Sequence, residues 1–156
     1  MRPMRPEERD DVRALLTEAY QPYANAMPPE VYERYLAGVL DTDRGRQVVA
    51  VDGDKVLGAA RLYPPGLARV PLPPDWAWVR AVGVRPSARG TGVAREIMAH
   101  CAENAGAAAA LALHTMDFMP AAIRLYERLG YARAPEYDFV PDHGAFTAIA
   151  YRLPLR

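Results

Sequence analysis

The sequence predicts a mixed α/β fold in which two helices are followed by an antiparallel run of strands and then by alternating strands and helices. Three observations carry this reading. Apolar residues recur at helical spacing near the N-terminus and again after residue 91, β-type runs occupy 47–62 and 76–84, and the later segments follow the order β-α-β-α-β-β. With 156 residues, 51% of them hydrophobic, the chain is expected to form one domain over 1–156, and no internal repeat or low-complexity linker divides it.

The first helix begins at Pro6, with Glu7 and Glu8 placed where a helix dipole favours negative charge. Val12, Leu15, Leu16 and Ala19 then repeat at i, i+3, i+4 and i+7. A second helix follows Met27-Pro28-Pro29, with Tyr32, Tyr35, Leu36 and Val39 on one face, and Tyr20 to Met27 connects the two. Gln47–Val51 and Lys55–Leu62 read as a hairpin across Asp52-Gly53-Asp54. Tyr63 to Asp75 holds five of the fifteen prolines and is excluded as a central strand, because proline has no ladder donor. Trp76–Val84 is the next strand. From Thr91 the period changes, and Val93, Ile97, Cys101 and Ala105 mark a helix with a small-residue face. Leu111–His114 is a short strand, and Pro120–Leu129 a helix stopped by Gly130. Glu136–Val140 and Phe146–Leu153 read as strands around Pro141-Asp142-His143-Gly144.

Composition narrows the function. The 19 basic and 19 acidic side chains balance, which argues against gripping nucleic acid or an anionic membrane. One cysteine, Cys101, supplies neither an internal disulfide nor a cysteine metal site, and its helical spacing marks an inert buried thiol. The charged N-terminus and the absence of a run of about 18 apolar residues make the cytoplasm the expected location. Of the 19 basic residues only Lys55 is lysine, a skew that coding bias explains.

The most informative stretch is Val82-Gly83-Val84-Arg85-Pro86-Ser87-Ala88-Arg89-Gly90-Thr91-Gly92-Val93-Ala94-Arg95. A strand ends, a loop follows, and two glycines open a helix. Unpaired N–H groups and the positive end of the dipole make an anion site there, with positive charge local to Arg85, Arg89 and Arg95. A bare glycine pair of this kind also occurs as a plain helix cap. The second motif is Met119-Pro120-Ala121-Ala122-Ile123-Arg124-Leu125-Tyr126-Glu127-Arg128-Leu129-Gly130-Tyr131, in which Tyr126 stands 37 residues after Arg89.

Together these motifs resemble the GNAT N-acetyltransferase superfamily. Its Arg/Gln-x-x-Gly-x-Gly/Ala loop is matched by Arg89, Gly92 and Ala94, and its second signature is similar to Leu125-Tyr126-Glu127-Arg128-Leu129-Gly130-Tyr131. The resemblance covers nearly the whole chain. It implies a central, mostly antiparallel twisted sheet of six to seven strands, splayed at the cofactor cleft and flanked by four helices. It also implies acetyl-CoA as acetyl donor, with no metal. Backbone groups of Val82, Gly83 and Val84 would hold the pantetheine arm, and Arg89, Gly90, Thr91, Gly92, Val93, Ala94 and Arg95 would cradle the pyrophosphate. Tyr126 would be the catalytic residue that protonates the departing thiolate. Its chemistry suits that role, since a phenol with pKa near 10 stays protonated at neutral pH and is comparable in acidity to a thiol. Where many members carry Asn, seven residues before the tyrosine, this chain has Met119, and Asp117 is expected to cap the helix instead.

No base stands out. An amine of pKa about 10.4 is neutral about once in 2500 molecules at pH 7, a penalty of about 4.6 kcal/mol, so a proton acceptor or water chain is needed. Trp76–Val84 has Arg80 as its only ionisable side chain, with Asp75 just before it. Glu30, Glu33, His114 and Asp117 are candidates elsewhere, and a water relay is the expectation. Tyr20, Tyr23, Asn25, Tyr63, Trp76 and Trp78 are expected to line an apolar acceptor pocket, and Arg80 would favour a carboxylate or phosphate on the substrate. His100 and His143 read as surface positions.

The expected partner is a small-molecule amine, with no nucleic acid and no membrane; a homodimer is left open. Three rival readings are a dinucleotide-binding turn, a CoA-binding sensor without catalysis, and an enzyme acting on RNA or a protein amine. The first fails at the third glycine position, which is Arg95. The second is opposed by Tyr126, and RNA by the neutral charge.

Overall fold

The structure, a computed structural model, describes residues 1–41 and 44–156. In chain order its elements are β1 (Arg2–Pro3), α1 (Arg9–Tyr20), α2 (Pro29–Leu40), β2 (Arg46–Asp52), β3 (Lys55–Tyr63), β4 (Trp76–Val84), α3 (Val93–Glu103), β5 (Ala110–Thr115), α4 (Pro120–Arg128), β6 (Ala132–Arg133) and β7 (Ile149–Pro154). Single-turn 3-10 helices lie at Pro6–Glu8, Pro86–Ala88 and Pro135–Tyr137, and a longer one at Gln21–Ala26. The described strands make one sheet in the order β1-β2-β3-β4-β5-β7-β6. Only β4 and β5 run parallel; the other neighbours are antiparallel. This is the mostly antiparallel sheet with four helices that the family resemblance implies.

Strand alternation sorts the apolar residues onto two faces. Val48, Ala50, Ala60, Leu62, Ala77, Val79, Leu111 and Leu113 pack with Val93, Ile97, Met98 and Cys101 of α3 and with Tyr126 of α4. Val49, Ala59 and Ala81 pack with the predicted α1 stripe, Val12, Leu15, Leu16 and Ala19, and with Val39 of α2. Helices therefore cover both faces, which explains why β3 is buried without a break from Gly58 to Tyr63. Glycines permit the close approach. A Cβ on Gly83 would lie 2.8 Å from Leu16 Cδ2, and one on Gly58 would lie 2.8 Å from Ile97 Cδ1 on the opposite face.

The α2 face differs in detail from the expectation: Val31 and Val39 are its buried residues, and Tyr32 is only half-buried. The short strand β1, unanticipated from the sequence, pairs with Val48 and Val49 of β2. Glu8 anchors it. Its carboxylate accepts from Arg2 Nη1 at 2.9 Å and Nη2 at 2.5 Å, and from the Arg5 N–H at 2.8 Å.

The expected strand Glu136–Val140 is absent. Pro135 starts a 3-10 turn there, and the Asp138 carboxylate, not a strand backbone, accepts the Ala150 N–H at 2.7 Å. Only a bridge between Phe139 and Ala148 remains, and the last strand starts at Ile149 instead of Phe146. The partner that fills out this edge is β6, paired at Ala132 and Arg133.

Two outcomes test these packing arguments. The Glu8 carboxyl is held down at about 2, chiefly by the Arg2 hydrogen bond and then by the Arg5 N–H. A depressed carboxyl stabilises the fold above its ordinary pKa, and that contribution is lost as pH falls from about 4.5 toward about 2. Glu8→Gln should flatten that part of an acid-unfolding curve and leave the part above pH 5 parallel to wild type. Gly83→Val should lower stability by about 1–3 kcal/mol through overpacking against Leu16, read as a lower urea midpoint at unchanged slope.

Candidate functional site

β4 and β5 pair only at Trp76–Ala110, Ala77–Leu111 and Trp78–Ala112. Beyond these they diverge, and a cleft of about 1050 Å³ opens between them. The Arg85 N–H bonds the Leu57 carbonyl at 2.8 Å, so antiparallel alternation turns the backbone groups of Val84 away from β3 and into the cleft. A bulge interrupts this edge: Ala59 faces Gly83 and Arg61 faces Arg80, which leaves Ala81 and Val82 opposite Ala60. Ala81 sits at φ 55, the only described non-glycine residue with positive φ, at a strain of roughly 1–2 kcal/mol. Such strain at a cleft wall is a common mark of a functional position.

The α3 end is built to receive an anion. Gly90 and Gly92 have φ of 77 and 87, and a Cβ on either would meet nothing within 4 Å, so backbone conformation and not space demands glycine. Gly92 caps α3 and its carbonyl takes the Glu96 N–H at 3.0 Å. The N–H groups of Val93, Ala94 and Arg95 precede the first helical bond, and these three residues line the cleft with Arg89. Thr91 does not; its hydroxyl is turned back to the Ala88 carbonyl. Arg85, expected to add charge here, instead bonds the Val56 carbonyl at 3.0 Å and Asp11 at 3.3 Å. Arg128, which the sequence reading did not single out, does line the cleft.

Tyr126 reaches the cleft from α4. It is 8% exposed, and its hydroxyl has no hydrogen-bond partner among the described residues. Burial, and then its neighbour Tyr131, push the phenol well above its ordinary value, so it keeps its proton. Met119 holds the N-cap of α4 without a side-chain cap, and its sulfur takes the Thr115 hydroxyl at 3.5 Å. Asp117 is exposed and does not cap the helix, contrary to the expectation.

At the other end five rings form a closed collar. Centroids of Tyr20–Tyr23, Tyr20–Tyr35, Tyr35–Phe146 and Phe118–Phe146 lie 5.9 Å apart, and Tyr23–Phe118 closes the ring at 6.1 Å. The Tyr20 hydroxyl donates to the Val82 carbonyl at 2.9 Å, occupying one of the backbone groups assigned to the cofactor. Tyr20, Tyr23, Trp78 and Arg80 line the cleft as expected, whereas Tyr63 and Trp76 do not. Those two are buried with Leu67, Val70 and Leu72 of the proline-rich segment, because that segment folds down onto the strand face. Asn25 is exposed and outside the lining. Arg34 and Tyr35, in the 20–35 region expected to contact substrate, and Phe146, in the expected last hairpin, also line the cleft, though the sequence did not single them out as site residues. For Arg34 the usable signal was helical, since Arg34 and Gly38 are one turn apart on α2.

None of the base candidates is free to act. Glu30, Glu33 and Asp117 are exposed and outside the cleft lining, and the described lining contains no carboxylate. His114 lies in it, but its Nδ1 accepts the Trp78 indole N–H at 3.2 Å, so Nε2 carries the proton and donates to the Tyr137 carbonyl at 3.0 Å. Desolvation lowers its pKa, keeping it neutral. His143, expected at the surface, lines the cleft against Phe146 at 4.7 Å, and its Nδ1 accepts the Ala145 N–H at 3.0 Å. Cys101 is buried on α3, and burial pushes its thiol up to about 12, which leaves it inert. No metal-binding group of His, Cys, Asp or Glu occurs among the described residues.

The model of the acetyltransferase (GNAT) family matches residues 9–131. The chain belongs to this family. Among solved structures, a GNAT-family protein from Desulfovibrio desulfuricans is 18% identical, with 100% of this chain and 98% of that one covered at a TM-score of 0.73. A ribosomal-protein alanine N-acetyltransferase from Escherichia coli is 23% identical (98% and 91% covered, TM-score 0.66). A spermidine N-acetyltransferase chimera from Vibrio cholerae is 17% identical (99% and 94% covered, TM-score 0.67). At these identities the likeness is one of fold. A comparison with curated protein sequences gives no match.

The two hydrogen bonds of His114 fix its tautomer. Nitrogen-15 NMR should show it as the Nε2–H tautomer at pH 7, with a titration midpoint below 6.5; a midpoint above 7 would show that the ring is not locked as described.

Proposed function

We propose that this GNAT protein is an N-acetyltransferase that moves an acetyl group from acetyl-CoA to a primary amine of a small molecule, by direct attack in a ternary complex. The observation that carries the reading is the conjunction at one cleft of diverging parallel strands, an open helix start flanked by Arg89 and Arg95, and an unpartnered Tyr126 hydroxyl. The residues present fit an acyl-CoA. Val84 offers both backbone groups along the cleft, as an added strand would use them, and the N–H groups of Val93 to Arg95 suit a pyrophosphate. Met119 lines the same wall and brings a sulfur where an amide would give two donors.

Acetyl-CoA, when bound, supplies a thioester whose carbonyl carbon accepts the amine and whose thiol leaves. One C–N bond forms and one C–S bond breaks; the amine proton passes to water, the Tyr126 proton to the sulfur, and the Tyr126 phenolate regains a proton from water. Tyr126 suits this because burial keeps the phenol protonated, and the same desolvation raises the basicity of a thiolate beside it. With both lining imidazoles holding their lone pair in a hydrogen bond and no lining carboxylate, the amine reaches the cleft neutral or loses its proton to ordered water.

A reading without catalysis, an acyl-CoA-binding module of the same fold, would leave the free Tyr126 hydroxyl without a use. Two measurements decide. Tyr126→Phe should cut kcat by about 10²–10⁴-fold and keep acetyl-CoA affinity within about twofold, whereas equal turnover would remove the acid role. The pH profile of kcat/KM should rise up to the acceptor's own ammonium pKa without an enzyme inflection between pH 5 and 8. A bell in that window would reveal a titrating base.

A further inference from the structure

The acceptor end of the cleft holds positive charge that the fold does not neutralise. Elsewhere the arginines with a structural task are matched: Arg2 with Glu8, Arg85 with Asp11 and Arg133 with Asp138. On the cleft margin Arg69 is 3.1 Å from Asp41. Arg80 and Arg34 are different. Both line the cleft, and neither has a carboxylate partner among the described residues.

The placement of Arg80 is specific. Its guanidinium carbon stands 5.5 Å from the Trp78 ring centroid, and Trp78 is itself held by the indole bond to His114. On its other side a Cβ on Gly38 would lie 3.4 Å from Arg80 Nη2, so the guanidinium rests against α2 at a residue with no side chain. Arg34 lies one turn earlier on the same side of that helix, which brings a second guanidinium to the same wall.

Behind this pair Arg61 faces Arg80 directly across β3 and β4. It is 1% exposed and, among the described residues, bonds only the neutral Val39 carbonyl and Gln47 side chain at 3.1 Å and leaves Nε and Nη1 unpartnered. Like charges opposed on a sheet destabilise it, and a buried cation without a counter-ion does so more. The tertiary structure thus holds a standing positive field at the acceptor end, with the half-buried Arg80 and the exposed Arg34 at its front.

We infer that the acceptor carries an anionic group beside its amine, a carboxylate or a phosphate, and that Arg80 with Arg34 binds that group. The inference rests on the N-acetyltransferase reading and selects within it. Trp78 and Gly38 border Arg80 without taking its N–H groups, which stay available to a planar or tetrahedral oxyanion. A polycation such as spermidine would meet the same field as repulsion.

The test compares glycine, serine and glutamate with their α-carboxamides, and adds O-phosphoethanolamine and spermidine, measuring thiol release with acetyl-CoA. Acids should exceed their carboxamides by about 10-fold or more in kcat/KM; the phosphate compound ranks the two anion types. Arg80→Ala and the exposed Arg34→Ala should each collapse that ratio, mainly through a rise in KM of about 10- to 100-fold, with Arg80→Lys restoring part of it. Preference for carboxamides or spermidine, or an unchanged ratio in both variants, would overturn the inference.

Calorimetry of N-acetylglycine against N-acetylglycinamide gives a second readout that needs no turnover. Tighter binding of the acid, lost in Arg34→Ala, supports the anion site even if no amine releases thiol, in which case the failure belongs to the transferase reading. Equal binding of the two sinks the anion site whatever the turnover.

Discussion

β4 and β5 stay paired for three residue pairs and then part, and the rest of the cleft depends on that divergence. A parallel pair that stops short leaves backbone N–H and C=O groups without ladder partners, which is tolerable only where another group can satisfy them. The Tyr20 hydroxyl covers the Val82 carbonyl; Val84 is left facing open space. The β1–β4 half is clamped from both of its faces. α3 presses on Gly58, α1 presses on Gly83, and α4 brings Tyr126 and Met119 into the gap. Cleft width is thereby set by helix packing on the two faces, and the bulge at Ala81 re-aims the edge residues into it.

Charge is organised on the same axis. The open N–H groups of α3, Arg89 and Arg95 mark one end, and Arg34 and Arg80, with Arg61 behind them, mark the other with the aromatic collar. A chain with balanced totals thus concentrates cationic groups in its cleft, whose described lining has no carboxylate to offset them. That absence also shapes the proposed chemistry: without a lining carboxylate, and with both imidazole lone pairs tied to N–H donors, the reaction we propose sends protons out through solvent and takes one from the Tyr126 phenol.

Much of this was legible in the chain. The α1 stripe, the β2–β3 hairpin, the limits of β4, the glycine loop and the placing of Tyr126 on α4 followed from periodicity, turn chemistry and two motifs, because each is encoded by residues a few positions apart. What failed was decided at long range. Glu136–Val140 has strand composition, yet Pro135 and the Asp138 contact with Ala150 draw it into a turn. Tyr63 and Trp76 have the composition of a binding pocket, yet the proline-rich segment covers them. Arg85 belongs to the phosphate-loop stretch by sequence and to Asp11 by geometry.

By itself the sequence determined the order and type of most elements, the family resemblance and the residues able to do proton and anion chemistry, since local spacing sets which side chains share a face. Only the tertiary structure decided which of them meet. It removed His114 from the list of bases by giving both its nitrogens partners, moved His143 and Arg34 into the cleft, and set Arg61 opposite Arg80. Those outcomes depend on register and on which strands become neighbours, relations between residues tens of positions apart that spacing along the chain does not specify.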